Sequence, residues 1–292
     1  MASRTAGRRR CGRAVAAAGV LLASLTTLLS TTAAHPAAAA GGPPSARSGS
    51  PTGQPLPVRP QGRARVTAAV LDLDGPARQP TVYGDDAPYD TASISKVDIL
   101  AALLLKAQDA HRGLTAQERA YAAPMIQRSD NASANALWRR IGRAPGLAAA
   151  NKRLGLTATH GGSGPRWGLT RTTASDQVRL LRAVFGTRSA AHAGSTALDG
   201  GSRAYIRTLM THVSSDQTWG VPAASGAASA VKNGWLQRDT SGLWDVNSVG
   251  QVGAHGHRYL VAVLSDGSAS MKDGVRLVEA AARASVSSAS GR

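Results

Sequence analysis

Sequence patterns typical of β-strands occur at both ends of the chain, and patterns typical of helices fill the segment between them. Two β-type runs lie early, RVTAAVLDLDG and PTVYG, and three lie late, ASAVKNGWL, LWDVNSVGQVG and RYLVAVLSDG. Residues from about 97 to 187 instead carry apolar side chains at helical spacing. This order predicts an α+β fold: an antiparallel sheet built from both ends of the domain, flanked by helices, with an all-helical subdomain inserted.

Capping signals mark where several helices begin. Thr115 and Glu118 have the spacing of a capping box, and Thr173 precedes a helix that contains Asp176. A last amphipathic helix is predicted from about Met271 onward. These signals divide the central segment into separate short helices.

The first 40 residues have the composition of an export signal. An arginine-rich head precedes an apolar run from Ala14 to Leu29, and the small residues that end at Ala40 form a cleavage site. The apolar run is short and rich in alanine and threonine, which disfavours a membrane span. We predict that residues 1–40 are a cleaved signal peptide, that no stable membrane insertion remains, and that the protein is secreted, extracellular or in the cell envelope.

Composition also indicates the domain boundaries. Residues 41–64 are rich in proline, glycine and serine and are predicted to form a disordered linker. Residues 65–288 are long enough for one domain with a substantial core, and we expect this domain to be a monomer.

Several kinds of chemistry are disfavoured by the residue types present. The single cysteine, Cys11, lies in the predicted signal peptide, so the mature chain would have no disulfide and no cysteine nucleophile. The formal charge of +17 favours anionic substrates, but the arginines are scattered and there is one phenylalanine, so we expect no nucleic-acid binding. His255 and His257 fit a polar turn better than a metal site. We expect neither a metal nor another cofactor.

The stretch TASISKVDIL places Ser93 and Lys96 three residues apart at the start of a predicted helix. Residues at this spacing share one helix face, so the lysine amine can reach the serine hydroxyl. A lysine with a lowered pKa can act as the base that a serine nucleophile needs. Taken alone, the same residues also fit a helix cap beside an exposed lysine.

Two further motifs are equally ambiguous when each is taken alone. RSDNAS contains Ser129 and Asn131, which fit either helix capping or a proton-relaying hydroxyl and a substrate-binding amide. VKNGW contains Lys232 and Gly234. They fit either an edge charge beside a bulge, or a positive charge for a substrate carboxylate beside a backbone that a substrate can approach closely.

The three motifs occur in one order, each on the predicted element that it needs. In this respect the chain resembles the serine β-lactamase and penicillin-binding protein superfamily, and most closely its class A β-lactamase branch, whose motifs are S-x-x-K, S-D-N and K-T-G. The resemblance extends over residues 66–284 and includes LGLT before the loop that precedes Thr172, and TT at the start of the next helix. It implies a cofactor-free serine hydrolase with the β-lactamase/DD-peptidase-like fold.

The resemblance also implies a role for each motif residue. Ser93 would be acylated by the substrate, with Lys96 as its base. Ser129, helped by Lys232, would pass a proton to the leaving atom. The backbone N–H groups of Ser93 and Trp235 would form the oxyanion hole. Four residues would bind the substrate: Asn131, Asn233, Gly234 and Trp235.

Two features depart from the class A pattern. The third motif reads Lys-Asn-Gly, in which Asn233 can still donate a hydrogen bond to a substrate carboxylate. Class A enzymes also carry a glutamate in the loop before the TT helix, where it activates the water that hydrolyses the acyl-enzyme. Here the loop before Thr172 reads TATHGGSGPRWGLTR, and no Asp or Glu occurs between Asp130 and Asp176. His160 is the one group there with a suitable pKa, provided that the loop points it inward. We therefore predict slow deacylation.

These features lead to one expectation and two alternatives. The expectation is an exported class A β-lactamase-like serine hydrolase that acts on small β-lactams, or on related peptides, amides and esters, through acyl-Ser93. One alternative keeps this chemistry for cell-wall peptides or small esters, in a penicillin-binding, DD-peptidase-like enzyme or an esterase. The other alternative is a non-catalytic relic that binds envelope ligands, and the intact motifs argue against it.

Overall fold

The structure, a computed structural model, describes residues 53–186, 197–226 and 229–291. The predicted signal peptide and residues 41–52 of the predicted linker lie outside these residues. Within the three described ranges, no helix is both long and apolar enough to cross a membrane.

Five strands from the two ends of the chain form one antiparallel sheet, in the order β2-β1-β7-β6-β5. Their bounds are β1 Arg65–Asp72, β2 Thr81–Tyr83, β5 Ala230–Gln237, β6 Trp244–Ala254 and β7 His257–Ser268. The first long strand pairs along its whole length with the last one. The predicted sheet, built from both ends of the domain, is therefore confirmed.

Helices fill most of the chain between these two groups of strands. Their bounds are α1 Ser95–Asp109, α2 Ala116–Gln127, α3 Asn131–Ile141, α4 Arg143–Leu154, α5 Ala174–Phe185 and α6 Gly200–Thr211. A two-stranded ladder of β3 Tyr89–Asp90 and β4 Arg171–Thr172 lies among them, and α7 Met271–Ser290 ends the fold.

The helical region extends beyond the predicted 97–187, because α6 also precedes β5. The sequence gives a weak signal for the start of α6, since Gly200 and Gly201 have low helix propensity. Asp199 compensates by capping the helix, and its Oδ1 accepts a hydrogen bond from the backbone N–H of Ser202 at 2.6 Å. The last helix also ends two residues beyond the predicted domain boundary at 288.

The central strand β7 is buried on both faces of the sheet. Val261 and Val263 belong to an apolar cluster that includes α7, whereas Leu260, Ala262 and Leu264 belong to the cluster formed with the inserted helices. This alternation follows from the two-residue period of a strand. A strand covered on both sides has a nearly continuous apolar sequence, which explains the run YLVAVL.

The capping box at the start of α2 forms as predicted. The hydroxyl of Thr115 accepts from the N–H of Glu118 at 3.1 Å, and the Glu118 carboxylate accepts from the N–H of Thr115 at 2.8 Å. Arg112 donates two hydrogen bonds to the same carboxylate and is the main reason that the pKa of Glu118 is lowered to about 2. Glu118 therefore stays ionised and holds the helix end in place.

The predicted disordered linker, residues 41–64, is too long, because its last part is ordered and contacts the sheet. The N–H of Gln54 donates to the carbonyl of Val82 at 2.8 Å, and its carbonyl accepts from Gly84 at 2.8 Å. Leu56 and Val58, two apolar residues of this Pro/Gly-rich stretch, pack against the cluster that includes α7. Burial of these side chains explains why the ordered chain begins before residue 65.

Candidate active site

Ser93 lies in a single 3₁₀ turn, Ala92–Ile94, between β3 and α1. Ala92 has a φ of +47°, a value that residues with a Cβ rarely adopt. A hydrogen bond from β6 holds the residues that precede this turn. The Nδ2 of Asn247 donates to the carbonyl of Asp90 at 2.9 Å. Backbone strain that is held by surrounding contacts is common at functional sites. Ser93 is half-buried, between the buried Ala92 and Ile94.

The structure brings Lys96 directly to Ser93. Lys96 is on the first turn of α1, its side chain is 0 % exposed, and its Nζ lies 2.9 Å from the Oγ of Ser93. The same nitrogen donates to the Oδ1 of Asn131 at 2.8 Å, to the carbonyl of Ser129 at 2.6 Å and to the Oγ of Ser129 at 3.1 Å. The alternative of an exposed lysine beside a helix cap is therefore wrong.

Burial lowers the pKa of Lys96 to about 7, and the carboxylate of Asp130 opposes this shift. A buried ammonium loses its hydration, so the neutral amine is favoured. At neutral pH a large fraction of Lys96 is then uncharged. An uncharged amine in contact with a hydroxyl can take its proton.

Ser129 lies between the two lysines of the predicted site. Its Oγ is 3.1 Å from the Nζ of Lys96 and 2.9 Å from the Nζ of Lys232. Lys232, on β5, is 1 % exposed and also donates to the carbonyl of Asn233 at 2.8 Å. Burial, and then the nearby Lys96, hold the pKa of Lys232 well below its usual value. A hydroxyl bridged by two amines is suited to relaying a proton.

The SDN motif lies where α2 connects to α3, and each of its three residues has a different structural role. Ser129 has a φ of +55°, which turns the chain sharply before α3. Asp130 caps α3, since its Oδ1 accepts from the N–H of Ser133 at 2.7 Å. Asn131 is exposed and contacts Lys96. Asp130 therefore caps α3, while the side chains of Ser129 and Asn131 contact Lys96.

Gly234 allows β5 to lie against the turn that carries Ser93. A Cβ at this position would be 2.7 Å from the backbone nitrogen of Ser93 and 2.7 Å from the carbonyl of Thr91. Such contacts are shorter than real structures tolerate. The sequence predicted a close approach of substrate to Gly234, but the structure shows that the close approach is made by the protein's own backbone.

The prediction that Asn233 binds substrate is corrected by the structure. Its side chain is 1 % exposed, and its Nδ2 donates to the carbonyls of Gln217 at 2.9 Å and Trp219 at 3.0 Å. Successive strand residues point to opposite faces. Asn233 therefore points away from Lys232 and Gly234, and it anchors the segment from Ser215 to Trp219.

Trp235 is the last of the predicted site residues. It is half-buried, and its ring lies 5.9 Å from the ring of Trp219 at an angle of 58°. Its backbone follows the residue that touches the Ser93 turn. The role of its N–H in an oxyanion hole stays a prediction.

The sequence matches a known family of proteins. A model of the beta-lactamase enzyme family matches residues 112–288 of this chain. The chain belongs to this family. No curated protein matches it.

Solved structures of a class A beta-lactamase and of PBP-A have the same fold. A class A beta-lactamase from Bacteroides cellulosilyticus DSM 14838 is 17% identical, with 78% of this chain and 93% of that chain covered and a TM-score of 0.64. PBP-A is 19% identical, with 83% and 99% covered and a TM-score of 0.64. A leucine-to-glutamate mutant of PBP-A, solved as an acyl-enzyme complex with penicillin G, is 18% identical, with 80% and 92% covered and a TM-score of 0.62. These likenesses establish the fold.

In this beta-lactamase family member, the loop before Thr172 brings no titratable group to Lys96. The side chain of His160 is exposed, and its backbone pairs with Arg171. The hypothesis that His160 points inward as a base is therefore wrong. Asp176, the next carboxylate, is buried and accepts hydrogen bonds from Ala158 and Thr159 of the loop itself.

Trp167 of the same loop lies over the amine of Lys96, whereas its position in a loop fitted only an aromatic wall for a substrate. The distance from Nζ to the ring centre is 4.7 Å. The indole N–H donates to the Oδ1 of Asn135 on α3 at 2.7 Å, which fixes the ring. A cation over an aromatic face is a favourable contact. The only sequence signal was a tryptophan within a glycine-rich loop.

Metal-ligating side chains do not cluster in the part of the chain that the structure describes, where no three His, Cys, Asp or Glu residues group together. His257 instead contacts the Oδ2 of Asp72 at 2.7 Å, next to the turn between β6 and β7.

Proposed function

We propose that the protein is a class A β-lactamase-like serine hydrolase that acts by acyl transfer through Ser93, on β-lactams or related amides and esters. One observation carries this proposal. A buried amine, that of Lys96, with a pKa lowered to about 7, lies 2.9 Å from the hydroxyl of Ser93. A serine hydroxyl becomes a useful nucleophile when such a base adjoins it.

In the acylation step, neutral Lys96 takes the proton of Ser93 as the serine oxygen attacks the carbonyl carbon. The N–H groups of Ser93 and Trp235 stabilise the negative oxygen that forms. The bond from the carbonyl carbon to the leaving nitrogen or oxygen then breaks, and Ser129 gives its proton to the leaving atom. Lys96, 3.1 Å from the Oγ of Ser129, returns the proton to that oxygen. The products are acyl-Ser93 and a protonated leaving group, with Lys96 neutral again.

Slow hydrolysis of acyl-Ser93 is part of the proposal. Water must lose a proton to attack the ester, and a positioned base normally takes it. The segment 157–171 has no carboxylate, and its one histidine, His160, is exposed. The ring of Trp167 covers Lys96 on the side of this loop. These observations support an acyl-enzyme that accumulates.

A second candidate function keeps acylation and changes the substrate. The segment 157–171 has neither a carboxylate nor a buried histidine, which favours a penicillin-binding, DD-peptidase-like enzyme that acts on cell-wall peptides, or an esterase. The contacts among Ser93, Lys96 and Ser129 argue against a non-catalytic relic that binds envelope ligands.

One experiment tests acyl transfer through Ser93 and slow deacylation, and it distinguishes both from the relic. The protein and its Ser93→Ala variant are incubated with a fluorescent penicillin and a chromogenic cephalosporin, and the intact protein is then weighed by mass spectrometry. We expect a lasting adduct on the unmodified protein and none on S93A. Rapid hydrolysis without an adduct would refute slow deacylation, and the absence of both adduct and hydrolysis would support the relic.

We also propose that residues 1–40 direct export, with the mature protein acting outside the cytoplasm as a monomer. The arginine-rich head and the following apolar run support this proposal. Amino-terminal sequencing of the protein recovered from culture medium and envelope fractions tests it, and an intact Met1 would contradict cleavage. Light scattering of the purified protein tests the monomer.

A further inference from the structure

A cavity of about 530 Å³ lies between α7 and the segment that precedes β1, residues 56–64. This segment is held at two places. Leu56 and Val58 pack against the apolar cluster that includes α7. At the other end, the carbonyl of Arg63 lies so close to Gly267, near the end of β7, that a Cβ at Gly267 would be 2.5 Å from it. Packing at both ends of the segment therefore fixes this wall of the cavity.

The lining of the cavity is largely aliphatic. Segment 56–64 and α7 each contribute two apolar side chains, and the ends of β6 and β7 contribute one each: Val58, Ala64, Leu277, Ala280, Leu243 and Ala269. All six are at least partly exposed. Apolar surface of this kind is stabilised when an apolar ligand displaces water from it. The volume also lies within the range of about 300–1,000 Å³ that small-molecule sites have.

The charged side chains of the lining are mostly cationic. They are three arginines, Arg59, Arg63 and Arg276, and one carboxylate, Asp273. Arg276 and Asp273 form an ion pair with each other. Arg59 and Arg63 are exposed, and neither guanidinium has an ion-pair partner in the part of the chain that the structure describes. Two positive charges at an aliphatic cavity therefore remain available to an anionic group.

The preceding part of the chain has the wrong chemistry to occupy this cavity. Residues 41–52 read GGPPSARSGSPT, which contains Arg47, no carboxylate and no apolar side chain larger than proline. This stretch would add a positive charge beside Arg59 and Arg63 and would bury little apolar surface. A separate ligand with an anionic head and an aliphatic tail fits both parts of the lining.

We propose that this cavity binds a free medium-chain alkyl carboxylate, with its tail against the aliphatic lining and its carboxylate paired with Arg59 and Arg63. None of the lining residues belongs to the Ser93 site. The ligand is therefore not the acyl donor, and no covalent bond is made or broken. The inference does not depend on the proposed acyl transfer.

Titration calorimetry of the purified protein tests the choice of ligand. The probes are decanoate, below the concentration at which it forms micelles, and decyltrimethylammonium, which has the same tail and a cationic head. We expect one decanoate to bind per protein with a Kd of about 0.1 mM, and the cation to bind at least about 10-fold more weakly. No saturable decanoate binding up to about 2 mM, or equal binding of the two probes, would overturn the inference.

Charge reversal at the two unpaired arginines tests the place of binding. Arg59→Glu combined with Arg63→Glu should weaken decanoate binding at least about 10-fold. The matched control is Arg139→Glu combined with Arg283→Glu, which makes the same change in net charge at exposed positions outside the lining. It should change the Kd by less than about 2-fold. Equal weakening in both double variants would show that the general attraction of a cationic protein binds the anion, and would refute the site.

Two further variants test the tail and the independence from Ser93. Ala280→Trp fills the cavity from α7 and should abolish binding, whereas Ser287→Trp, at an exposed position of the same helix, should retain it. Ser93→Ala should bind decanoate as tightly as the unmodified protein. A folded A280W variant with unchanged affinity would exclude the cavity, and loss of binding in S93A would place the ligand in the Ser93 site instead. Because calorimetry measures binding alone, failure of acyl transfer would leave these results unchanged.

Discussion

The amine of Lys96 and the hydroxyl of Ser93 are 2.9 Å apart, and the amine is fully buried. Its pKa of about 7 places the change from ammonium to amine within the physiological range. Since the ammonium has no lone pair to accept a proton, the protonation state of Lys96 would control the proposed attack by Ser93.

The pH dependence of acylation follows from this contact. We expect the rate of adduct formation to fall about tenfold per unit below pH 7 and to level off above it, because only neutral Lys96 accepts the serine proton. Intact-mass measurements from about pH 5 to pH 9 on the same penicillin test this.

Arginine at position 96 gives the matched control for that profile. Its guanidinium keeps its charge throughout this range, so K96R should lose acylation by at least about 100-fold at every pH. A flat profile in the unmodified protein, or a K96R variant that retains the rate, would rule out Lys96 as the base.

Replacement of Trp167 by glutamate should speed deacylation. The ring lies 4.7 Å from the amine of Lys96, so a carboxylate there would lie where a water beside the acyl group can be activated. We expect hydrolysis of acyl-Ser93 to accelerate at least about 10-fold, since general bases contribute about 100-fold or more. The added charge should also raise the pKa of Lys96 and move the acylation profile to higher pH.

Trp167→Gln distinguishes the effect of adding a base from the effect of removing the tryptophan ring. Glutamine has the size of glutamate but neither the charge nor the basicity. W167Q should leave the pH profile of acylation in place and deacylate more slowly than W167E. Equal acceleration in both variants would mean that water access through the loop, and not the missing base, limits the release.

The fold and the motif positions could be predicted because their signals are local. The i and i+3 spacing brings Ser93 and Lys96 together on any helix. The capping preference of Asp130 places the start of α3 at Asn131, the last residue of the second motif. The continuous apolar run of β7 predicts that this strand is buried on both faces.

Other features depend on contacts between distant segments. A strand pattern predicts that successive side chains of β5 point to opposite faces. It does not predict which face a segment distant in sequence will cover. The hydrogen bond from Asn233 to the carbonyl of Gln217 depends on which face is covered. The path of the loop before Thr172 likewise determines that Trp167 contacts the amine of Lys96 and that the side chain of His160 is exposed. Glycine at 234 indicated a close approach, but the predicted partner was a substrate, and the partner in the structure is the turn that carries Ser93.

Alanine at Gly234 should block acylation without unfolding the protein. Its Cβ would lie 2.7 Å from the Ser93 nitrogen, so β5 must move away from the turn that carries the nucleophile. A displacement of this kind can cost about 100-fold in rate. Gly113→Ala is the matched control, because a Cβ there meets nothing within 4 Å. A G234A variant with an unchanged adduct rate would show that the close contact does not position Ser93.

Asp98, two residues after Lys96 on α1, should make the protein less stable as pH rises. Burial raises its pKa to about 8, an effect that the side chain of the nearby Asn151 opposes, and neither carboxyl oxygen makes a hydrogen bond of good geometry among the described residues. Between about pH 4 and pH 8 the folded state keeps a proton that the unfolded chain releases, so the free energy of unfolding falls as pH increases.

The Asp98→Asn variant removes this proton difference while keeping the shape of the side chain. The oxygen of the neighbouring Asn151 also lacks a donor, and the new amide can supply one. We expect D98N to gain at least about 2 kcal/mol near pH 8 and nothing below about pH 4, measured by urea denaturation. Asp109→Asn, an exposed change on the same helix, should show no such pH-dependent gain. Parallel pH profiles for D98N and the unmodified protein would mean that Asp98 is ionised in the folded state.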